Sequence, residues 1–412
     1  MSSSASAAAA PAMSGRIVSM DQFRGYTVAG MCVVNFLGGL AAIHPFFKHN
    51  NNYFSYADTI MPSFMFAVGF SFRLTAKKRM EQGGMSAVYR KTIVRGLGLV
   101  LFSLMMYGFG ETFKKFDDYT TKSVWEFLVG LVKANLWETL GVIGVAQILV
   151  LPFIGASSRV RLLTALAFWG VHVAITYFFN WDFVYGRPNA LDRLLGTEGS
   201  TAWDGGCFGL MMWGSLMLLG SLAYDATSAH RPGPASARLV GWGVVLMAVG
   251  YVLSCLSLLF VGEPVDSRRG LPESPVLPPL AKISGRPLDT MLAEPPFVQP
   301  PPPKERPINY WMMNKKIVSL PFVLSSGGFA MIVYGLFVLA CDAGSLRVGL
   351  FRTFGQNALA AYLLHHLVEE QTLTLVPKDS PLWWCLVGLA FFYVVTYTFV
   401  RYLEKQGIYV KL

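Results

Sequence analysis

The sequence predicts an all-α fold, a polytopic transmembrane helical bundle of about ten spans with no soluble domain, each span taking roughly 20 apolar residues to cross about 30 Å of hydrocarbon. Composition is the first observation behind this. Hydrophobic residues make up 53% of the 412-residue chain and charged residues 14%, with a mean hydropathy of +0.46, too little charge to cover a soluble globule. The second is pattern: apolar runs recur at span length, and Lys and Arg fall in the short segments between them. That placement gives the formal net charge of +10 the task of orienting spans, and no nucleic-acid partner is expected. Cys32, Cys207, Cys255, Cys341 and Cys385 lie in or beside apolar segments without CxxC spacing, so neither a disulfide framework nor a metal site is expected.

Residues 1–15 lack the basic start and apolar stretch of a cleaved signal and read as a disordered tail. Region 16–261 should then hold seven spans, at 26–43, 57–74, 92–110, 136–154, 161–179, 206–223 and 239–261. Between Glu111 and Lys133, the near-helical spacing of Trp125, Phe127, Leu128 and Leu131 predicts an amphipathic helix on the membrane surface; an ordinary packed loop is the plainer reading. Residues 180–204 form an unusually polar loop with Asp182, Arg187, Asp192, Arg193, Glu198 and Asp204. Region 262–316, which includes Pro300 to Pro303, reads as an extended extracytoplasmic insertion, partly polyproline II and without a core of its own. Region 317–412 should hold the last three spans, at 317–340, 355–370 and 382–401, the middle one the least apolar because it carries Asn357, His365 and His366.

With a cytoplasmic N-terminus, the inside segments collect Arg24, Arg73, Lys77, Lys78, Arg79, Arg90, Lys91 and Arg95, and an even number of spans leaves both termini inside. Asp21 and Arg24 then sit at the cytoplasmic face and His44, His49 and Asp58 at the opposite one. Ionisable groups at the edge of hydrocarbon are costly, which makes such a set functional by default. A helix cap and a headgroup anchor explain Asp21 with Arg24 equally well, but leave Asn35, His49 and Asp58 unexplained.

The run Arg16 to Gly25, RIVSMDQFRG, then Met31 to Asn35, then Ala57 to Gly69, ADTIMPSFMFAVG, resembles the opening of the heparan-alpha-glucosaminide N-acetyltransferase family. The likeness continues in Asn189 to Gly196 with Trp203-Asp204, in Asn314 to Leu324, and in Phe354 to Leu359 followed by Tyr362 and His365. The resemblance implies acetyl transfer across the membrane, from cytosolic acetyl-CoA as co-substrate to a terminal glucosamine on the far side. It also implies an essential histidine in the first extracytoplasmic loop, matched here by Phe47-Lys48-His49, with His44 as the substitute if the loop is shifted. Two stretches depart from the family's pattern: Asn50-Asn51-Asn52 after the histidine, and Trp137 to Gly141 where relatives commonly show Leu-Gln-Arg.

Acyl transfer from a thioester needs a base near the operating pH, and histidine, with an ordinary pKa of about 6.5, suits that task. His49 is therefore the candidate base or acyl carrier, Asp58 the group that orients its ring, and Asn35 a donor to the developing oxyanion. Their plainer readings are a loop histidine at headgroup level, a helix cap and interhelical glue. Asp21 and Arg24, with the basic run Arg73, Lys77, Lys78 and Arg79, are placed to meet the phosphates of the donor, although positive-inside anchoring explains the lysines as well. Asn357 and His365 fall on one helical face about two turns apart, where they would line a central pore and touch the cofactor or form a polar seam. Asp192, Arg193 and Asp204 are the candidate acceptor-binding residues. The expected partners are acetyl-CoA, an amino sugar or glycan acceptor and membrane lipid, with a homodimer left open. A bacterial plasma or inner membrane is favoured over a lysosomal one. The other class of reading is a transporter or flippase that uses the same polar pathway.

Overall fold

The helix entry points differ first from the apolar pattern. In the computed structural model, which describes residues 17–108, 115–265, 271–283 and 287–410, the first helix begins well before its apolar run. The tail 1–15 and Arg16 lie outside the described residues. In chain order the helices are α1 (Val18–Gly38), α2 (Ile60–Ser103), α3 (Thr121–Lys133), α4 (Thr139–Ile154), α5 (Ser158–Ile175), α6 (Trp181–Tyr185), α7 (Ala190–Leu195), α8 (Gly206–Ala229), α9 (Pro232–Ser254), α10 (Leu320–Phe337), α11 (Gly349–Gln356), α12 (Ala358–Leu373) and α13 (Leu382–Lys405). Among the described residues there is no strand, only an isolated bridge between Val265 and Pro272.

Among the described residues, six helical segments are long and apolar enough to cross a membrane, up to seven if α3 and α4, bent by 87°, count as one broken span. They contain α2, α5, α8, α9, α10 and α13, so α1 and α12 are not among them. Within the described residues the expected spans at 57–74 and 92–110 fall largely on the two arms of α2; residues 109 and 110 lie outside the described ones. The backbone leaves helical geometry at Gly83 (φ −150°, ψ 17°) and Gly84 (φ 67°, ψ −174°), the latter a conformation that favours glycine. Met80 and Met85 both come against Gly155, and Arg79 and Arg95 line one cavity, so the chain doubles back at this pair.

α1 starts early because Ser19, Asp21 and Gln22 are buried against protein and not exposed to water. Its partner there is α11. A Cβ on Gly25 would lie 1.7 Å from Phe351 O, and one on Gly355 would lie 1.9 Å from Asp21 O, so only glycines allow this crossing. The same device joins α2 to α8, where a Cβ on Gly69 would lie 1.9 Å from Met217 O and one on Gly220 would lie 2.0 Å from Phe66 O. The expected span at 355–370 is corrected: Asn357 adopts φ −128° and ψ 46°, which ends α11 and starts α12.

The amphipathic helix is present as α3, capped by Thr120 accepting from Ser123 N at 3.1 Å, with Trp125, Leu128 and Val132 exposed and Val129 buried. The proline-rich insertion packs against other parts of the chain. Leu271, Val276, Tyr310 and Ile317 share a core with Trp181, Phe183, Val184 and Tyr185, so this segment closes over the 181–185 turn. Phe297 N also donates to Phe54 O at 2.8 Å, which fastens the insertion to the loop between α1 and α2.

Candidate active site

The loop between α1 and α2 folds back on itself. His44 begins a short 3-10 turn by accepting from Phe46 N at 3.2 Å, Phe46 stacks on Tyr56 with ring centroids 5.6 Å apart, and Tyr56 N donates to Phe46 O at 3.1 Å. This closure brings His49 to Asp58. His49 Nδ1 and Asp58 Oδ1 are 3.1 Å apart, and the other carboxylate oxygen accepts from Ser55 Oγ at 2.7 Å and Asn50 N at 3.1 Å. Asn50, one of the departures, also donates to Lys48 O at 2.7 Å and Pro45 O at 3.2 Å, so it clasps the loop around the pair. The Asp58 side chain is fully buried while that of His49 is 47% exposed. Asp58 occupies Nδ1, which leaves Nε2 for an incoming group, the division of labour of a base and its orienting carboxylate.

Sequence reading did not single out Lys315. Its ammonium is 3.9 Å from Asp58 Oδ1 on a side chain only 10% exposed. It is delivered by a turn pinned on both sides: Asn314 Nδ2 donates to Tyr185 OH at 2.7 Å, and Val318 N to Lys315 O at 3.0 Å. Asp204 is buried nearby on left-handed backbone (φ 45°), directly before Gly205 (φ 81°). Burial pushes its carboxyl above the ordinary range, Lys315 and His49 pull it down, and Asp58 pushes it up. Asp204 and Lys315 also act electrostatically on Glu138. Lys315 thus stands beside Asp58 and acts electrostatically on Asp204 and Glu138, carboxylates from three separate parts of the chain.

A cavity of about 550 Å³ opens among α1, α2, α4, α12 and the C-terminal tail. Arg24, Arg79 and Arg95 line it, followed by Phe64, Val68, Leu99, Leu140 and Ile143, with Thr139 and Tyr362 also on its wall. Arg24 and Arg79 act electrostatically on Arg95, whose Nε is buried with no hydrogen-bond partner among the described residues. Three convergent arginines beside an apolar corridor suit a ligand with phosphates at one end and an apolar arm. Thr139, on the cavity wall, directly follows Glu138, the carboxyl on which Lys315 and Asp204 act.

The remaining residues expected at the site fall as follows. Asn35 joins His365, with Nδ2 to Nε2 at 3.0 Å, on the face α1 turns to α12. Asp21 lies 3.4 Å from Arg24. Asn357 does not share a helix with His365; it fastens the tail instead, donating to Ile408 O at 2.9 Å and accepting from Val410 N at 3.1 Å, which brings Tyr409 and Val410 to the cavity wall. Asp192 is fully buried and its oxygens are taken by Lys133, by Asn189 Nδ2 at 2.7 Å and by Thr197 Oγ1 at 2.6 Å, an anchor between α3 and α7. Arg193 is exposed. Arg73 and Lys77 turn to Asp225, at 3.2 and 3.4 Å, which also pairs with Arg161. Lys315, Glu138 and Arg95 are the additions; Lys315 stands in the motif 314–324 and Glu138 in the second departure, while Arg95 read only as a positive-inside anchor.

In comparisons with known proteins, the sequence model of a family described as "Heparan-alpha-glucosaminide N-acetyltransferase, catalytic" matches residues 16–231, more than half of the chain. No curated protein matches it at a significant level.

Proposed function

Since this chain belongs to the heparan-alpha-glucosaminide N-acetyltransferase family and is an integral membrane protein, we propose that it passes an acetyl group from cytosolic acetyl-CoA to an amino sugar or glycan at the extracytoplasmic face. The observation that supports this reading is a pair of half-sites linked by the neighbouring residues Glu138 and Thr139. A phosphate-suited cavity with Arg24, Arg79 and Arg95 approaches, through Thr139 and Glu138, a cluster that contains a histidine paired with a buried carboxylate. The cavity volume, about 550 Å³, falls within the usual range of small-molecule sites, roughly 300–1,000 Å³.

In the proposed reaction, His49 Nε2 takes the proton from the acceptor nitrogen or oxygen as that atom bonds to the acetyl carbon. The carbon–sulfur bond then breaks and the proton passes to the departing thiolate of CoA. Asp58 holds the ring by Nδ1 and stabilises the imidazolium, a role worth several orders of magnitude in triads. The alternative route, in which His49 itself carries the acetyl group, uses the same contacts. We place about ten spans in the bilayer, with α1 and α12 as polar spans sheltered by the apolar ones, in a bacterial plasma or inner membrane.

His49→Ala tests the reading. Purified in detergent, the variant should elute as the unaltered protein does, yet lose acceptor-dependent thioester turnover. Turnover equal to that of the unaltered protein would remove His49 from the mechanism.

A further inference from the structure

The segment His365 to Glu370 puts two imidazoles and two carboxylates on α12, and the acyl-transfer chemistry above employs none of them. We propose that His365, His366 and Glu369 form a binding site for a divalent first-row transition metal of the Zn²⁺ class.

The tautomer of His365 comes first. Its Nδ1 lies 2.5 Å from Tyr362 O, and a carbonyl oxygen only accepts, so Nδ1 carries the proton and Nε2 presents a lone pair. That lone pair lies 4.0 Å from Glu369 Oε2, an atom buried with no hydrogen-bond partner among the described residues. Asn35 Nδ2 stands 3.0 Å from that nitrogen, but no group among the described residues donates to Glu369 Oε2, and a cation would complete this buried acceptor. His366 adds a second imidazole whose ring centroid is 3.9 Å from that of His365. One ligand atom from each of the three residues falls within 4.8 Å of the others.

The surroundings have the form of a metal site's outer layer. Tyr107 hydrogen-bonds His366 Nε2, the kind of contact that orients a ligating imidazole. Asn35 reaches His365 Nε2 at 3.0 Å with its amide nitrogen and, by turning the amide, offers its oxygen to a bound ion. Two imidazoles with one carboxylate select Zn²⁺ and its neighbours over Mg²⁺ or Ca²⁺, which take oxygen ligands. Ligand atoms on one tetrahedral Zn²⁺ are about 3.4 Å apart, given bonds of about 2.0–2.1 Å, so side-chain rotation closes the present gaps. Three ligands leave the fourth position open, beside the turn whose Tyr362 lines the inner cavity. An ion here would also bind together the helices that carry Tyr107, Asn35 and His365.

The test uses the full chain in detergent, stripped with a chelator and titrated with Co²⁺. One equivalent should bind, with the visible absorption bands of four- or five-coordinate Co²⁺, and Zn²⁺ should displace it. Glu369→Gln and His366→Ala should each weaken binding more than about 10-fold and alter the bands, and Tyr107→Phe, which keeps all three ligands, should weaken it about 10-fold or more. Size-exclusion elution checks that each variant is folded. The proposal is overturned by Co²⁺ binding that is unchanged in Glu369→Gln, or that vanishes instead when the exposed His44 and His49 are replaced. It is equally overturned if no ion binds and infrared spectra show a protonated carboxyl band that Glu369→Gln removes, for then a proton fills the gap.

Discussion

Lys315 carries the positive charge on which the outer cluster depends. Its ammonium lies 3.9 Å from Asp58 Oδ1, and its field reaches Asp204 and Glu138 as well. Removing one member of a buried charged group leaves the others uncompensated. In Lys315→Met, the Asp204 carboxyl, already raised by burial, loses the strongest influence that lowers it and rises further. The sign follows: a raised carboxyl stays protonated to higher pH, so the ionised cluster around His49 forms only at higher pH. The acidic limb of kcat/KM for thioester turnover should therefore move to higher pH in this variant, with the greatest loss at acidic pH and partial recovery at alkaline pH. A profile merely scaled down, with its limb in place, would assign Lys315 a packing role. The pairing of His49 with Asp58 was legible in the sequence because one short loop holds both. Lys315 was not, since it arrives from the far end of a proline-rich insertion and reads, alone, like any other basic residue. Asp192 misled for the converse reason: a carboxylate in a polar loop looks available until the ammonium of Lys133 is seen to occupy it.

At the scale of elements, apolar runs locate the middles of the spans, and helix-to-helix contacts decide their ends. α1 carries Ser19, Asp21 and Gln22 into the protein because α11 supplies the surroundings that water would otherwise supply. The requirement is steric: at Gly25 a side chain would begin 1.7 Å from Phe351 O, on backbone that cannot turn aside. Gly25→Val should lower the melting temperature in detergent, since overpacking costs about 1–3 kcal/mol and backbone collisions lie at the upper end or beyond. Gly38→Ala, at the other end of the same helix where nothing lies within 4 Å, supplies the control and should melt with the unaltered protein. Equal melting of both variants would mean that the crossing is looser than described. The motif glycines 25, 69 and 355 were visible in the sequence, but their purpose was not, because each partner is a backbone segment far away in the chain. The reversal at Gly83-Gly84 was legible only as a gap between two apolar runs, and the break at Asn357 not at all.

Two chemically different groups of residues mark the whole molecule, and the proposed reading turns them toward opposite faces of the membrane. On one side, Arg24, Arg79 and Arg95 gather at the cavity; on the other, the loop with His49 and Asp58 lies under the proline-rich insertion. Composition reveals a membrane bundle but not this division, since a polar residue buried between helices and one at a membrane edge contribute equally to hydropathy. The proposed reading makes the arginine mouth cytoplasmic, in keeping with the distribution of basic residues. On the proposed reading, inverted membrane vesicles should consume added acetyl-CoA when acceptor is sealed inside, whereas right-side-out vesicles should consume none until acetyl-CoA is loaded within. Arg95→Gln joins this polarity to a residue. Loss of hydrogen bonds to a charged group costs about 1.5–3 kcal/mol, so KM for acetyl-CoA should rise about 10- to 150-fold while KM for the acceptor stays where it was. Consumption of external acetyl-CoA by right-side-out vesicles, or an Arg95 effect that falls on the acceptor, would reverse the assignment of the two faces and with it the direction in which the acetyl group travels.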